Sequence, residues 1–329
     1  MYFPDQAGQT NRMNAAPRSQ TLAPHHSALT ALKQLADELR RHVDDKGKVA
    51  DVMLCALLAQ GHVLLEDVPG VGKTTFIKAL AKLLGLGMTR VQFTSDLLPA
   101  DVLGVEVYDN DQKSFVFHPG PIFTQVLLAD ELNRASPRTQ SALLEAMAEG
   151  CVTIDHKTYP LPQPFIVFAA QNPTESVGTY ELPESQLDRF SAKLKMGYPS
   201  EQRELDILRA AVRDPLASVP AGIMQLSELK QLQDLVETVH ISERVASYAK
   251  RLIDRSRTSG GLRVGVSTRG GVIWMRMARA YALYQQRDFV TPDDLQALAV
   301  PCLAHRVVAQ PTTSAEAAIG DLLIKVDVQ

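Results

Sequence analysis

The residues "VLLEDVPGVGKTTF" (63–76) carry an apolar run into a glycine-punctuated loop that closes on Gly-Lys-Thr. Such a loop can wrap its backbone N–H groups around phosphate oxygens, and Gly70 and Gly72 allow the tight curl this needs. Lys73 then brings positive charge to the β- and γ-phosphates. Thr74 offers a hydroxyl to Mg²⁺ at the start of a helix whose N-terminus favours anions. The strict pattern, G-x-x-x-x-G-K-[ST], asks for glycine at position 67, where this chain has Asp67. The inner loop is complete and only its outer hinge departs, so the Asp67 carboxylate must point away from the phosphates or be paired.

Further groups complete a hydrolytic set. "QVLLADE" (125–131) reads as a buried strand ending on Asp130 and Glu131, and in an open parallel sheet such ends face the ligand crevice. Asp130 would hold Mg²⁺ through water, and Glu131 would orient or deprotonate the attacking water. A solvated acidic strand end is the plain alternative, and the upstream loop weighs against it. Asn172 ends "FIVFAAQN" (165–172), where its amide can position water or touch the γ-phosphate, or serve only as a turn residue before Pro173. Arg189, in "LPESQLDRF" (182–190), suits insertion at a neighbour's γ-phosphate, or a surface pair with Asp188 or Glu184. Arg269 falls in the first turn of a helix in "GVSTRGGVIWMRMARAY", where a cation is unfavourable unless an anionic ligand relieves it. Arg276 and Arg279 on that helix read as solvated or paired.

The elements that must position these groups follow from periodicity. A strand at 62–66 precedes the loop and a helix at 74–85, stopped by Gly85, follows it. Strands are expected at 89–93, 114–120, 125–131, 165–172 and 192–198, with a helix at 136–150 capped by Ser136 and a small hairpin over 151–161. Two helices, 27–43 and 48–61, come first. Strands alternating with helices imply an α/β fold, a parallel sheet with helices on both faces. After Pro199 the pattern turns helical, near 200–213, 227–239, 242–257, 268–286 and 292–304, with no strand pattern between. The expected division is a disordered tail (1–26), an α/β nucleotide-binding domain (27–198) and an all-helical domain (199–329).

Composition excludes little else. Of 329 residues, 45% are hydrophobic and 22% charged, which supports a packed core throughout. A net charge of -3 makes no demand for nucleic acid or an anionic membrane. Cys55, Cys151 and Cys302 fit neither a zinc site nor a redox pair and suit a reducing cytoplasm. Neither a membrane span nor a signal peptide is expected.

In detail the chain resembles the MoxR family, in the AAA+ branch that also contains magnesium chelatase. The resemblance runs from about 45 to 305 and rests on "GHVLLEDVPGVGKT", "RVQFTSDLLPADVLG", "FHPGPIFTQVLLADELNRASPRTQSALLEAMAEG" and "QNPTESVGTYELPESQLDRF". It implies a P-loop AAA+ core followed by a helical lid. It also implies that Asp67 is a family variant of a working loop and that Pro69, Gly70, Val71, Gly72, Lys73, Thr74 and Thr75 bind ATP. Thr74 and Asp130 would serve the metal, with Glu131 completing the second nucleotide motif. Asn172 matches the first sensor, Arg189 the arginine finger and Arg269 the second sensor. Arg134 reads equally as a cross-boundary group or a local salt bridge. Segments 105–120 and 150–163 match inserts that face a pore or a client. One departure is "VDDKGKV" (43–49), where Asp44, Asp45 and Lys46 replace the family's Val-Gly-Gln step near the adenine pocket.

The resemblance further implies a homo-oligomeric ring, as a hexamer, using ATP and Mg²⁺ to remodel or mature protein clients, often beside a partner with a von Willebrand A domain. A nucleic-acid motor is the competing reading. It needs basic or aromatic pore loops, and the hairpin offers only His156, Lys157 and Tyr159 against Asp155. The basic stretch "KRLIDRSRTSGGLR" (250–263) reads more simply as a solvated helix face. A magnesium-chelatase-like motor subunit is a narrower alternative, and a non-catalytic nucleotide switch would need a damaged catalytic set.

Overall fold

The computed structural model describes residues 22–42, 47–68, 70–173, 178–209 and 216–327. Most of the segment expected as a tail lies outside them. Its last residues, 22–26, are a correction to that expectation: Leu22 is buried in the core, and a 3₁₀ turn over Ala23–His25 leads into the first helix. Two helices open the fold, α1 (His26–His42) and α2 (Lys48–Leu58). The core proper follows as β1 (His62–Glu66), α3 (Lys73–Leu84), β2 (Met88–Gln92) and a short α4 (Pro99–Leu103). A hairpin, β3 (Gly104–Asp109) and β4 (Ser114–Pro119), precedes β5 (Val126–Asp130) and α5 (Pro137–Glu149). A second hairpin, β6 (Cys151–Ile154) and β7 (Lys157–Pro160), leads to β8 (Ile166–Gln171), a one-turn α6 (Glu184–Leu187) and β9 (Phe190–Leu194).

The sheet runs β2-β5-β8-β1-β9 and its pairings are parallel. Strand residues alternate between two cores, as the period of two requires. Val63, Leu65, Val126 and Leu128 face α2 and α3, whereas Leu64, Leu127 and Ala129 face α5. Burial on both faces explains the unbroken apolar runs. The last strand, expected at 192–198, starts two residues earlier on the buried Phe190 and stops at Leu194.

The C-terminal part comprises α7 (Glu201–Arg209), α8 (Leu226–Thr238), α9 (Glu243–Thr258), β10 (Leu262–Val264), α10 (Thr268–Tyr284), α11 (Pro292–Leu303), β11 (Val308–Ala309) and α12 (Ala315–Lys325). It is not wholly helical, because β10 and β11 form an antiparallel pair. Three and two residues are too few to show alternation, which is why no strand pattern was visible. The first helices join this part: α1, α2 and α10 meet where Arg40 Nη2 donates to Asp51 at 2.5 Å and Tyr284 donates to the same carboxylate at 2.7 Å. Gln233 on α8 donates to Leu57 O at 2.9 Å.

Two buried histidines depend on being neutral. His62 donates Nε2–H to Met147 O at 3.1 Å and accepts the Val167 N–H on Nδ1 at 3.0 Å, so a second ring proton would face another donor. Burial pushes its pKa down to about 4. Burial and then the neighbouring Arg306 push His305 down to about 3. The ordinary histidine value is 6.5, so below it the unfolded chain takes up protons that the folded chain refuses. Stability should therefore be full above about pH 6.5 and fall toward pH 4, by up to ~1.4 kcal/mol per pH unit for each histidine. Urea titrations at pH 7 and pH 5 check this, and equal midpoints would contradict it.

Candidate active site

The three central strands deliver their carboxyl ends to one edge, where a cavity of about 360 Å³ is lined by Gly72, Lys73, Thr74, Asp130, Glu131 and Asn172, with Gly70, Thr75 and Arg90 around them. Gly70 and Gly72 have φ of 86° and 90°, and a Cβ at either would meet nothing within 4 Å. Glycine is needed there for the left-handed backbone, not for space. Gly72 caps α3 without a side-chain bond, so the first N–H donors of that helix remain available to an anion. Lys73 Nζ donates to Asp67 O at 2.9 Å, which holds the ammonium over the loop. Val71 is buried beneath it, and Pro69 lies outside the described residues.

Asp67 resolves the departure from strict spacing. Its side chain is buried and turned away from the cavity, accepting the backbone N–H of Met196 and, at 3.1 Å, that of Gly197. It ties the loop's outer hinge to the chain leaving β9.

Asp130 ends β5, and Glu131 follows with φ 53°. Buried amides brace this turn. Asn133 Nδ2 donates to Asn172 O at 3.4 Å, and Gln140 Nε2 donates to Leu132 O at 3.2 Å and Tyr180 O at 3.0 Å. Arg134 makes the local ion pair, with Glu131 Oε2 at 2.9 Å. Thr74 and Asp130 carry hard oxygens of the kind Mg²⁺ prefers, and both line the cavity. Among the described residues no cluster of three or more His, Cys, Asp or Glu could hold an ion, so such a metal would share its shell with phosphate oxygens and water.

Sequence reasoning missed Arg90. From β2 its Nη2 and Nε donate to Asp130 Oδ2 at 2.6 and 3.1 Å, and Nη2 also donates to Gln92 at 2.9 Å. In the folded sheet Gln92 is the register partner of Asp130, and Arg90, two residues earlier, shares its face of β2; the sequence alone carries no signal of that pairing. The expected arginines do not join the cavity lining. Arg189 donates Nη1 to Leu144 O at 2.7 Å. Arg269 is exposed in the first turn of α10, beside the N-cap Ser267.

A phosphate loop, a carboxylate pair and an asparagine on adjacent parallel strands, followed by a helical appendage, define an AAA ATPase core with its lid. The model for the "ATPase family associated with various cellular activities (AAA)" matches residues 62–192, and the AAA lid domain model matches 254–322. The chain is 45% identical over 305 residues to the uncharacterized protein YeaC of Bacillus subtilis, covering 91% of this chain and 95% of that one. It is 37% identical over 287 residues to Chaperone MoxR1 of Mycobacterium tuberculosis, covering 84% and 75%. A Cytophaga hutchinsonii chain solved as a candidate ATPase superposes with a TM-score of 0.84 at 34% identity, covering 92% and 96%. The chain belongs to the MoxR family of AAA+ ATPases.

If Asp67 is a structural tie, restoring the strict glycine does harm. Asp67→Gly leaves the N–H groups of Met196 and Gly197 without their acceptor. It should lower unfolding free energy by about 1–3 kcal/mol. Denaturant midpoints test this, and an equally stable variant would remove the tie.

Proposed function

We propose that the chain hydrolyses ATP with Mg²⁺ at the seam of a homo-oligomeric ring, a hexamer by family resemblance, and uses the turnover to remodel protein clients. The observation that carries this reading is a division of labour. Lys73, Thr74, Asp130, Glu131 and Asn172 line one cavity, while Arg189 lies outside that lining and donates to Leu144 O of its own chain; its service to a second copy is the part of the proposal that rests on the family resemblance.

The loop N–H groups and Lys73 bind and neutralise the phosphates. Thr74 and Asp130 would hold the metal, which when bound supplies charge neutralisation at the transferring group. Glu131 orients a water and takes its proton, and Asn172, braced by Asn133, fixes that water or the terminal phosphate. Arg269 would sense nucleotide from the lid. Asp44, Asp45 and Lys46, the departure near the adenine pocket, lie outside the described residues.

The client reading draws on the name chaperone given to MoxR1 and on apolar side chains exposed on both faces of the first hairpin. Val105, Val107, Tyr108 and Phe115 stand out on β3 and β4. The hairpins are braced together, with Phe117 stacked on Tyr159 at 4.0 Å and Lys157 paired with Glu106 at 3.0 Å. That pairing uses the hairpin's lysine and weighs against a nucleic-acid grip. On α9, Lys250 is likewise paired with Asp254 at 2.6 Å. A partner carrying a von Willebrand A domain remains part of the proposal by resemblance alone.

Glu131→Gln should retain ATP binding and lose about 10²–10⁴-fold in turnover, as removal of a general base does. Lys73→Ala should lose binding itself. Steady-state hydrolysis with a fluorescent-nucleotide titration separates the two, and full turnover by Glu131→Gln would refute the assignment. Protein captured by that variant only with ATP, and not single-stranded nucleic acid, is the result expected for a client remodeller.

A further inference from the structure

The residues around Arg189 are held by an element that nucleotide chemistry does not explain. Arg306 follows α11, and its side chain is only 1% exposed. Its Nε donates to Cys302 O at 2.7 Å and its Nη1 to Asp188 O at 2.8 Å. The same guanidinium pairs with the Asp188 carboxylate and donates to Phe190 O. The Nε2–H of His305 also donates to Phe190 O, at 3.0 Å. The carbonyls of Asp188 and Phe190, the residues on either side of Arg189, are thus fixed by two consecutive side chains from the lid.

The same junction touches α10. Ser267, its N-cap, donates Oγ–H to Asp188 Oδ2 at 3.5 Å. A Cβ added at Gly270 would lie 3.0 Å from Arg306 Cδ, so the arginine stem packs on the helix turn that carries Arg269. A guanidinium is suited to this place, because its planar fork can serve several acceptors at fixed angles, which an ammonium cannot. Burying a cation is a poor way to gain stability when apolar packing would do. All of the bonds but the one to Cys302 O converge instead on one tripeptide, Asp188-Arg189-Phe190.

We propose that Arg306 is a positioning residue for Arg189: with Asp188 it clasps the carbonyls of the two flanking residues to the lid, so the pose of Arg189 follows the first turn of α10. The lid of one subunit then sets how well its arginine serves the neighbouring site. This rests on the shared-seam reading above.

Mixed assemblies test it. A Glu131→Gln chain has a dead site and an intact arginine, and an Arg189→Ala chain has the reverse. Together they should recover turnover that neither shows alone. Adding Asp188→Asn to the Glu131→Gln chain leaves every backbone acceptor of Arg306 in place, so the fold is expected to persist. ATP affinity of that chain should stay within about twofold, while the recovered turnover drops about tenfold or more, as small misplacements of catalytic groups do. Arg306→Lys in the same background should drop it as well. Undiminished recovery with Asp188→Asn would overturn the clasp. So would a parallel loss of ATP affinity or melting temperature, which would make it a stability element only. No recovery in the parental mixture, with co-assembly intact, would instead sink the shared seam and the clasp with it.

Discussion

Parallel pairing of β8 with both β1 and β5 is the constraint on which the site depends. Register sets Glu66 beside Gln171 and Ala129 beside Ala169, so three strands run out of hydrogen-bonding partners at nearly one level. Beyond that level the backbone N–H and C=O groups need other company. The phosphate loop, the Asp130–Glu131 turn and Asn172 all occur there, one at each strand end. Buried amides fill what the sheet leaves over: Asn133 and Gln140 bond backbone carbonyls around the turn, and the Asp67 carboxylate takes two N–H groups beyond β9.

Much of this was legible in the residues themselves. The run HVLLE, the glycines behind it and the helical stripe after Thr74 specify strand, loop and helix locally. The elements found at 62–66 and 73–84 match that reading closely. Ser136 with Pro137, and Gly150 thirteen residues after Pro137, mark α5 by capping chemistry alone, and the Ser136 hydroxyl does accept the Thr139 N–H. Placement of Asp130 and Asn172 at one cavity followed from their places at the carboxyl ends of buried parallel strands, the ends that face a ligand crevice.

What escaped was set by tertiary contact. Arg90 sits in a five-residue edge strand whose alternation gives no hint of Asp130, because that partner is forty residues away. β10 and β11 are stabilised by each other and by little local propensity. Residue Asp67 looks like a defect when read along the chain. Only the proximity of Met196 and Gly197, more than a hundred residues later, makes it a useful acceptor. Arg306 is one basic residue among many until its burial is known.

The meeting of Arg40, Asp51 and Tyr284 has a mechanical meaning. One carboxylate accepts from a guanidinium and a phenol on two other helices, and burial followed by Asp51 keeps the phenol protonated as a donor. α1, α2 and α10 are thereby tied to one another at a single carboxylate. Any shift of α10 would therefore pull on α1 and α2 through Asp51.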